Sequence, residues 1–127
     1  MKNSMLNEKE LNVKVGEHVA VSGYRGTVIG VYHDKEKTNV RVVFDKDSSV
    51  STYGQYQGGW YSDFEVVETK NTKQTIENLN KYRARLVQIQ QREYETRGNT
   101  PRCQDLFDAI EGVDIAIYQL RKAQFIS

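Results

Sequence analysis

The sequence predicts an α+β fold, in which a small, curved antiparallel β-sheet of five to six strands is covered by an antiparallel two-helix hairpin. Seven of the nine glycines and five of the eight tyrosines precede Val67, among short β-branched runs that alternate with a period of two. After that point apolar residues recur every three or four positions, which indicates helices. The length of 127 residues suits one domain, so residues 1–127 are expected to share a single core.

The sheet is predicted within residues 14–68. Alternation and β-branched content place strands at residues 17–22, 26–32, 39–44, 49–55 and 60–68. Turns are expected at residues 23–26, which begin and end with glycine, and at the Gly58-Gly59 pair, with a charged hairpin loop at residues 34–37. Short antiparallel strands so closely spaced favour a strongly curved sheet or partial barrel.

The first helix is predicted at residues 71–98 and the second at residues 100–125. Asn71 with Gln74 three residues later is typical of an N-terminal cap, and Gly98 suits a C-terminus. Thr100 followed by Pro101 predicts the start of the next helix. Each helix carries an apolar stripe, namely Ile76, Leu79, Tyr82, Leu86 and Ile89 on the first and Leu106, Ile110, Val113, Ile117 and Leu120 on the second.

The overall composition excludes some classes of protein. With 18 Lys and Arg against 17 Asp and Glu, no whole-chain field favours nucleic acid or a membrane surface. The single cysteine, Cys103, rules out an intramolecular disulfide and indicates a reducing compartment. The polar start of the chain and the lack of a long apolar run predict no membrane partner and a cytoplasmic location.

The segment at residues 53–61 is the first candidate for a binding surface. It holds four aromatic residues and three glycines without a charge, in a chain that is 28% charged. Aromatic faces stack on flat ligands at low entropic cost, and glycine lets a ligand approach the backbone. Ordinary strand and turn chemistry is the competing interpretation.

Two further segments could bind an anion. The stretch at residues 22–27 contains Arg25, Gly26 and Thr27, whose backbone N–H groups and guanidinium suit a phosphate, although a plain hairpin turn needs the same glycines. Its spacing matches no nucleotide-binding fingerprint. At the tip of the helix hairpin, Arg97, Asn99 and Arg102 lie beside the N-terminus of the second helix, which attracts anions, but a solvated basic face is the simpler explanation.

Catalytic groups are sparse in the sequence. Cys103 is expected in the first turn of the second helix without a base beside it, and His18 and His33 lie on separate strands without metal-type spacing. Both histidines are interpreted as polar strand or turn residues. We therefore predict no enzyme activity, no metal and no cofactor.

In the order of its strands and helices, its aromatic and glycine-rich segment and its basic helix tip, the chain resembles the Thoeris anti-defence sponges of the first type. The resemblance covers about residues 14–124 and concerns architecture, not an invariant motif. These phage proteins assemble from dimers and sequester cyclic ADP-ribose signals without cleaving them. The resemblance therefore implies a homo-oligomer in the host bacterial cytoplasm that binds a cyclic nucleotide without a cofactor.

The resemblance also implies roles for the candidate residues. Arg25, Gly26 and Thr27 would offer donors at the turn, and Trp60 or Tyr61 would stack on the base. Asn99 would read the edge of the base, while Arg97 or Arg102 would meet the pyrophosphate.

Two other functions remain open from the sequence. One is a small-barrel interaction module that resembles KOW-type domains, binds nucleic acid or a protein partner, and uses its helices for dimerisation. The residues that favour it are Val19, Ala20 and Val21 followed by the run at residues 26–31. The other is an enzyme that acts on the same nucleotide.

Overall fold

The computed structural model describes residues 12–45 and 59–126, and it has the expected α+β architecture. Five antiparallel strands form one sheet in the order β4-β3-β2-β1-β5, and two helices follow. The elements are β1 (His18–Val21), β2 (Tyr24–Asp34), β3 (Lys37–Phe44), β4 (Gly59–Tyr61), β5 (Glu65–Val67), α1 (Thr72–Arg97) and α2 (Pro101–Ile126). The predicted strand at residues 49–55 and most of the aromatic segment lie outside the described residues.

The first hairpin turn lies two residues earlier than the sequence indicated. Ser22 and Gly23 have φ values of 51° and 86°, and successive left-handed residues are typical of a two-residue hairpin turn. Gly26 instead belongs to β2, where it pairs with Val19 on one side and Phe44 on the other. A Cβ atom at Gly26 would lie 2.5 Å from the Cγ1 atom of Val42, so glycine is required here for close packing.

The predicted strand at residues 60–68 is divided into two strands that occupy opposite edges of the sheet. β4 pairs with β3, whereas β5 pairs with β1. Between them Phe64 is buried in the core of the curved sheet. The two halves pair at opposite edges, so they cannot form one continuous strand, and Phe64 anchors the crossing between them in the core.

The sheet separates two hydrophobic clusters. One lies within the curve of the sheet and the other between the sheet and the helices. Consecutive side chains of β2 reach both clusters, since Val28 belongs to the first cluster and Ile29 to the second, and a β-bulge interrupts the pairing with β3 between Val28 and Gly30. Gly112 of α2 approaches this bulge so closely that a Cβ atom would lie 1.8 Å from the carbonyl oxygen of Ile29. This close approach packs α2 directly against β2.

The two helices form the predicted antiparallel hairpin, with the predicted caps. The Asn71 side chain accepts a hydrogen bond from Gln74 N at 3.0 Å, and Gly98 N donates to Tyr94 O at 2.8 Å. The Thr100 hydroxyl accepts from Cys103 N at 3.0 Å. Both apolar stripes face inward, with Tyr82 and Ile89 only partly buried. Across residues 12–45 and 59–126, neither helix has the length and hydropathy of a membrane span.

Candidate functional site: an aromatic surface at the sheet edge

Three residues lie side by side across strands β2, β3 and β4. Gly30 pairs with Arg41, and Arg41 pairs with Trp60, so all three share one face of the sheet. A Cβ atom at Gly30 would lie 3.1 Å from the Cη2 atom of Trp60. The indole therefore extends across β3 and covers the glycine, and a larger residue at position 30 would displace it.

Arg41 holds the indole from the side of the protein interior. Its guanidinium carbon lies 4.8 Å from the centroid of the Trp60 ring, within cation–π range. The same guanidinium donates through Nη2 to Asp105 Oδ1 of α2 at 2.7 Å. Arg41 is only 5% exposed, and its Nε atom has no hydrogen-bond partner within the described part of the chain. The ion pair with Asp105 thus fixes the Arg41 guanidinium in position beneath the Trp60 ring.

The open side of this arrangement is a shallow aromatic depression. Tyr32 meets Trp60 edge to face, with ring centroids 6.4 Å apart and an angle of 73° between the rings. Both rings are about half exposed, and with Val31, Asp34 and Asn39 they line a depression of about 580 Å³. We refer to Tyr32, Arg41 and Trp60 as the aromatic platform.

The structure distinguishes the two aromatics that the sequence offered for stacking. Trp60 is 46% exposed, whereas Tyr61 faces the curved-sheet cluster and packs edge to face against Phe44 at 5.8 Å. Burial raises the pKa of Tyr61 above its usual value. Of the two, only Trp60 lines the depression. Tyr32 also lines the depression, from β2, which lies two strands away from the β4 strand of Trp60. The sequence did not indicate this residue.

The hairpin tip is near the platform but is partly occupied by its own contacts. Arg102 precedes Asp105 by three residues, about 4.5 Å along the axis of α2. Its guanidinium lies 3.9 Å from Glu93 Oε1, and Glu93 also accepts a hydrogen bond from the Thr100 hydroxyl at 2.8 Å. Arg97 and Asn99 are exposed. The tip therefore offers accessible polar groups around a buried carboxylate.

The third predicted group, at residues 25–27, lies far from the hairpin tip. Arg25 O accepts from Asp45 N, and Asp45 O accepts from Asn78 of α1 at 3.2 Å. Asn78 is 19 residues from Arg97, which is roughly 28 Å of helix. One chain therefore does not bring the turn and the tip around one small ligand.

Within that third group the side chains are already engaged. The Arg25 guanidinium donates to the carbonyl of Glu68, and Thr27 is buried. Gly26 lies inside the sheet, as described above. Their role in ligand binding stays a prediction.

A buried polar cluster was missed altogether from the sequence. His18 is 2% exposed, and its Nε2 atom lies 2.8 and 2.9 Å from the two carboxylate oxygens of Asp45. Its Nδ1 atom lies 3.4 Å from the hydroxyls of both Thr27 and Thr69. His18 is a polar strand residue, as the sequence indicated, but it is not a lone histidine, because it has partners that lie 9 to 51 positions away in the sequence. In residues 12–45 and 59–126, no cluster of three His, Cys, Asp or Glu side chains could hold a metal ion.

Comparisons of the chain with protein-family models, curated proteins and solved structures found no match.

Proposed function

We propose that the protein binds a nucleotide of the cyclic ADP-ribose type on the aromatic platform and holds it without chemical change. The observation that carries this proposal is the half-exposed Trp60 indole, fixed by Arg41 on one side and flanked by Tyr32. A ring that is already ordered loses little side-chain entropy when a flat base stacks on it. The resemblance to the anti-defence sponges supplies the ligand class.

The chemistry of the depression favours a base over a phosphate. The charged residue among those that line it is Asp34, which repels a phosphate, and the charge of Arg41 is paired with Asp105. Asp34 and Asn39 can instead accept hydrogen bonds from an amino group of a base, and Asn39 can also donate one. We therefore place the base of the ligand, and not its phosphates, on the aromatic platform.

The phosphates would then extend toward the hairpin tip. Arg97 is exposed there, and Arg102 is half exposed beside Glu93. Arginine binds phosphate through a planar pair of N–H donors, so either side chain suits the pyrophosphate. Arg25, on β2, lies too far from the tip to meet the same ligand within one chain, so it would contribute only from a second copy in a homo-oligomer.

Binding without turnover is tested by recovery of the ligand. The protein is mixed with glycocyclic ADP-ribose, free ligand is measured by mass spectrometry, and the sample is then denatured by heat and measured again. Depletion followed by full recovery is expected. Depletion without recovery would establish an enzyme, and no depletion would reject this ligand.

The binding residues are tested through the single tryptophan, whose fluorescence reports directly on the platform. Arg102→Ala is expected to weaken binding by roughly 1.5–3 kcal/mol if its guanidinium meets a phosphate. Arg25→Ala is the matched variant at the opposite site. A loss in Arg25→Ala alone would move the phosphate site to the start of β2.

The small-barrel interaction module remains a second candidate, favoured by the sheet topology. β5 returns to pair with β1, and the curved sheet encloses its own cluster of buried residues. A titration with DNA and RNA at two salt concentrations tests this function, because contacts to phosphates give a steep salt dependence. Binding that weakens strongly with salt would favour the module over the sponge.

A further inference from the structure

A second cavity lies on the side of the molecule where α2 ends. It is formed by the segment that leads into β1, by the end of β5 and by the last turns of α2, and its volume is about 760 Å³. That size falls within the range of small-molecule pockets, roughly 300–1,000 Å³. None of the residues of the aromatic platform lines it.

Large aliphatic side chains line part of this cavity, beside its polar residues. Val15, Val67, Ile115 and Leu120 supply this apolar surface from three separate parts of the chain, and none of the lining residues is Phe, Tyr or Trp. Ile115 is 42% exposed, which leaves a large apolar side chain facing solvent within a concave site. Such a surface gains most from an alkyl chain, which can follow an irregular aliphatic wall.

The charged residues at the cavity favour an anion. Lys14 and Lys122 both line it and are exposed, and neither ammonium has an ion-pair partner among the residues that the structure describes. The one lining carboxylate, Glu17, accepts a hydrogen bond from Lys14 N at 2.7 Å and so helps to close the local turn. The cavity lining therefore carries two ammonium groups and one carboxylate, and that carboxylate already accepts a backbone hydrogen bond.

The inner polar wall is rigid. His18 lines the cavity with its imidazole held by Asp45, and the Thr69 hydroxyl beside it also lines the cavity. These contacts join the wall to β1, to the end of β3 and to the linker before α1. A site whose polar wall is fixed in this way needs little rearrangement to accept a ligand.

We propose that this cavity binds a medium-chain aliphatic carboxylate, with its alkyl chain on the aliphatic walls and its carboxylate between Lys14 and Lys122. This ligand class matches both the apolar lining and the net positive charge of the exposed rim. The inference is independent of the aromatic platform, because the two sites share no lining residue.

The proposal is tested by titrating the full-length, ¹⁵N-labelled protein with octanoate, 1-octanol and octylammonium and following the amide spectrum. We expect octanoate to shift amides of the cavity segments, including Gly16, Thr69 and Gln119, and to bind more tightly than octanol, with octylammonium weakest. Equal binding of the anion and the cation, or shifts at Trp60 and Tyr32 without shifts at the cavity, would overturn the proposal. Binding of the nucleotide is followed separately through Trp60.

Two pairs of variants locate the binding. Lys122→Gln is expected to weaken octanoate about three- to fivefold while leaving octanol unchanged, because an exposed charge pair contributes up to about this much. Arg121→Gln, at an exposed neighbour that does not line the cavity, is the matched control. Equal losses in both variants would contradict a specific role for Lys122.

The second pair tests the apolar wall. Ile115→Glu places an acid inside the cavity and is expected to weaken octanoate at least tenfold, whereas Phe107→Glu changes an equally exposed residue elsewhere on α2. Since both positions face solvent, both variants are expected to fold, which the amide spectrum verifies directly. Unchanged octanoate affinity in a folded Ile115→Glu variant would also overturn the proposal.

Discussion

The guanidinium carbon of Arg41 lies 4.8 Å from the centroid of the Trp60 ring, while the same side chain is bonded to Asp105 on α2. One buried cation therefore connects the edge of the sheet to the helix hairpin and supports the half-exposed Trp60 ring of the candidate site. The stability of the fold and the order of the binding surface depend on the same contact.

The first prediction concerns stacking. Trp60→Ala is expected to weaken a flat nucleotide ligand by about 1–3 kcal/mol, because it removes the ring on which the base would stack. Isothermal titration calorimetry measures this change without relying on tryptophan fluorescence. Tyr24→Ala removes another exposed aromatic, at the start of β2, and should leave the affinity unchanged. Equal affinities for the wild type and a folded Trp60→Ala variant would reject the platform as the base site.

The second prediction concerns the Arg41 ion pair. Arg41→Met is expected to lower the free energy of unfolding by about 1–3 kcal/mol, less than for a fully buried pair, because the Asp105 side chain is 37% exposed and partly screened. Urea denaturation of Arg41→Met, Asp105→Asn and the double variant measures the coupling. Strictly additive losses would show that the two side chains do not stabilise each other.

The third prediction concerns the contact between α2 and the β-bulge. An alanine in a helix is ordinarily more stable than a glycine by about 1 kcal/mol, yet Gly112→Ala is expected to destabilise the protein by roughly 1–3 kcal/mol. The reason is that its Cβ atom would lie 1.8 Å from the Ile29 carbonyl oxygen. Thermal unfolding detects the sign of the effect. A stabilised Gly112→Ala variant would mean that the helix does not approach the sheet so closely.

The fourth prediction concerns alkaline pH. Burial raises the pKa of Tyr82 above its usual value near 10, and the nearby charge of Arg41 opposes this only in part. The folded state therefore keeps the phenolic proton at pH values where the unfolded state loses it. The stability that this burial contributes is complete below pH 10 and falls as the pH rises above that value.

Tyr82→Phe isolates this effect. The variant lacks the ionisable phenol, so its free energy of unfolding should fall less steeply between pH 9.5 and pH 11 than that of the wild type. Urea denaturation at several pH values gives both slopes. A hydrogen bond lost in the variant would change the free energy of unfolding by the same amount at every pH and would leave its slope against pH unchanged. Identical slopes for the two proteins would therefore contradict the prediction.

The fifth prediction concerns assembly. Phe107 and Tyr118 are exposed large aromatic residues on α2, and we expect them to be covered in a homodimer or a larger assembly. Light scattering should give at least twice the 14.7 kDa mass of one chain. Tyr118→Glu should shift the protein toward the monomer, while Glu95→Gln on α1 should not. A wild-type protein that is monomeric at high concentration would reject this expectation.

Local sequence patterns determined the helices of this protein and most of its strands. The caps at Asn71, Gly98 and Thr100 depend on neighbours within five residues, so their chemistry is legible in the chain. The apolar stripe of α2 predicted its buried face because helical periodicity is fixed by the backbone. The exposed indole of Trp60 lies within the segment that composition marked as a binding surface.

Only the tertiary structure decided which of these residues meet. Trp60 faces Tyr32 because strand register brings β4 and β2 within reach of each other across β3, and no local pattern encodes that register. His18 acquired Asp45 and Thr69 as partners for the same reason. The sequence determined the elements, since propensity and capping act over a few residues. The sites depended on long-range packing, which positions side chains that lie far apart along the chain.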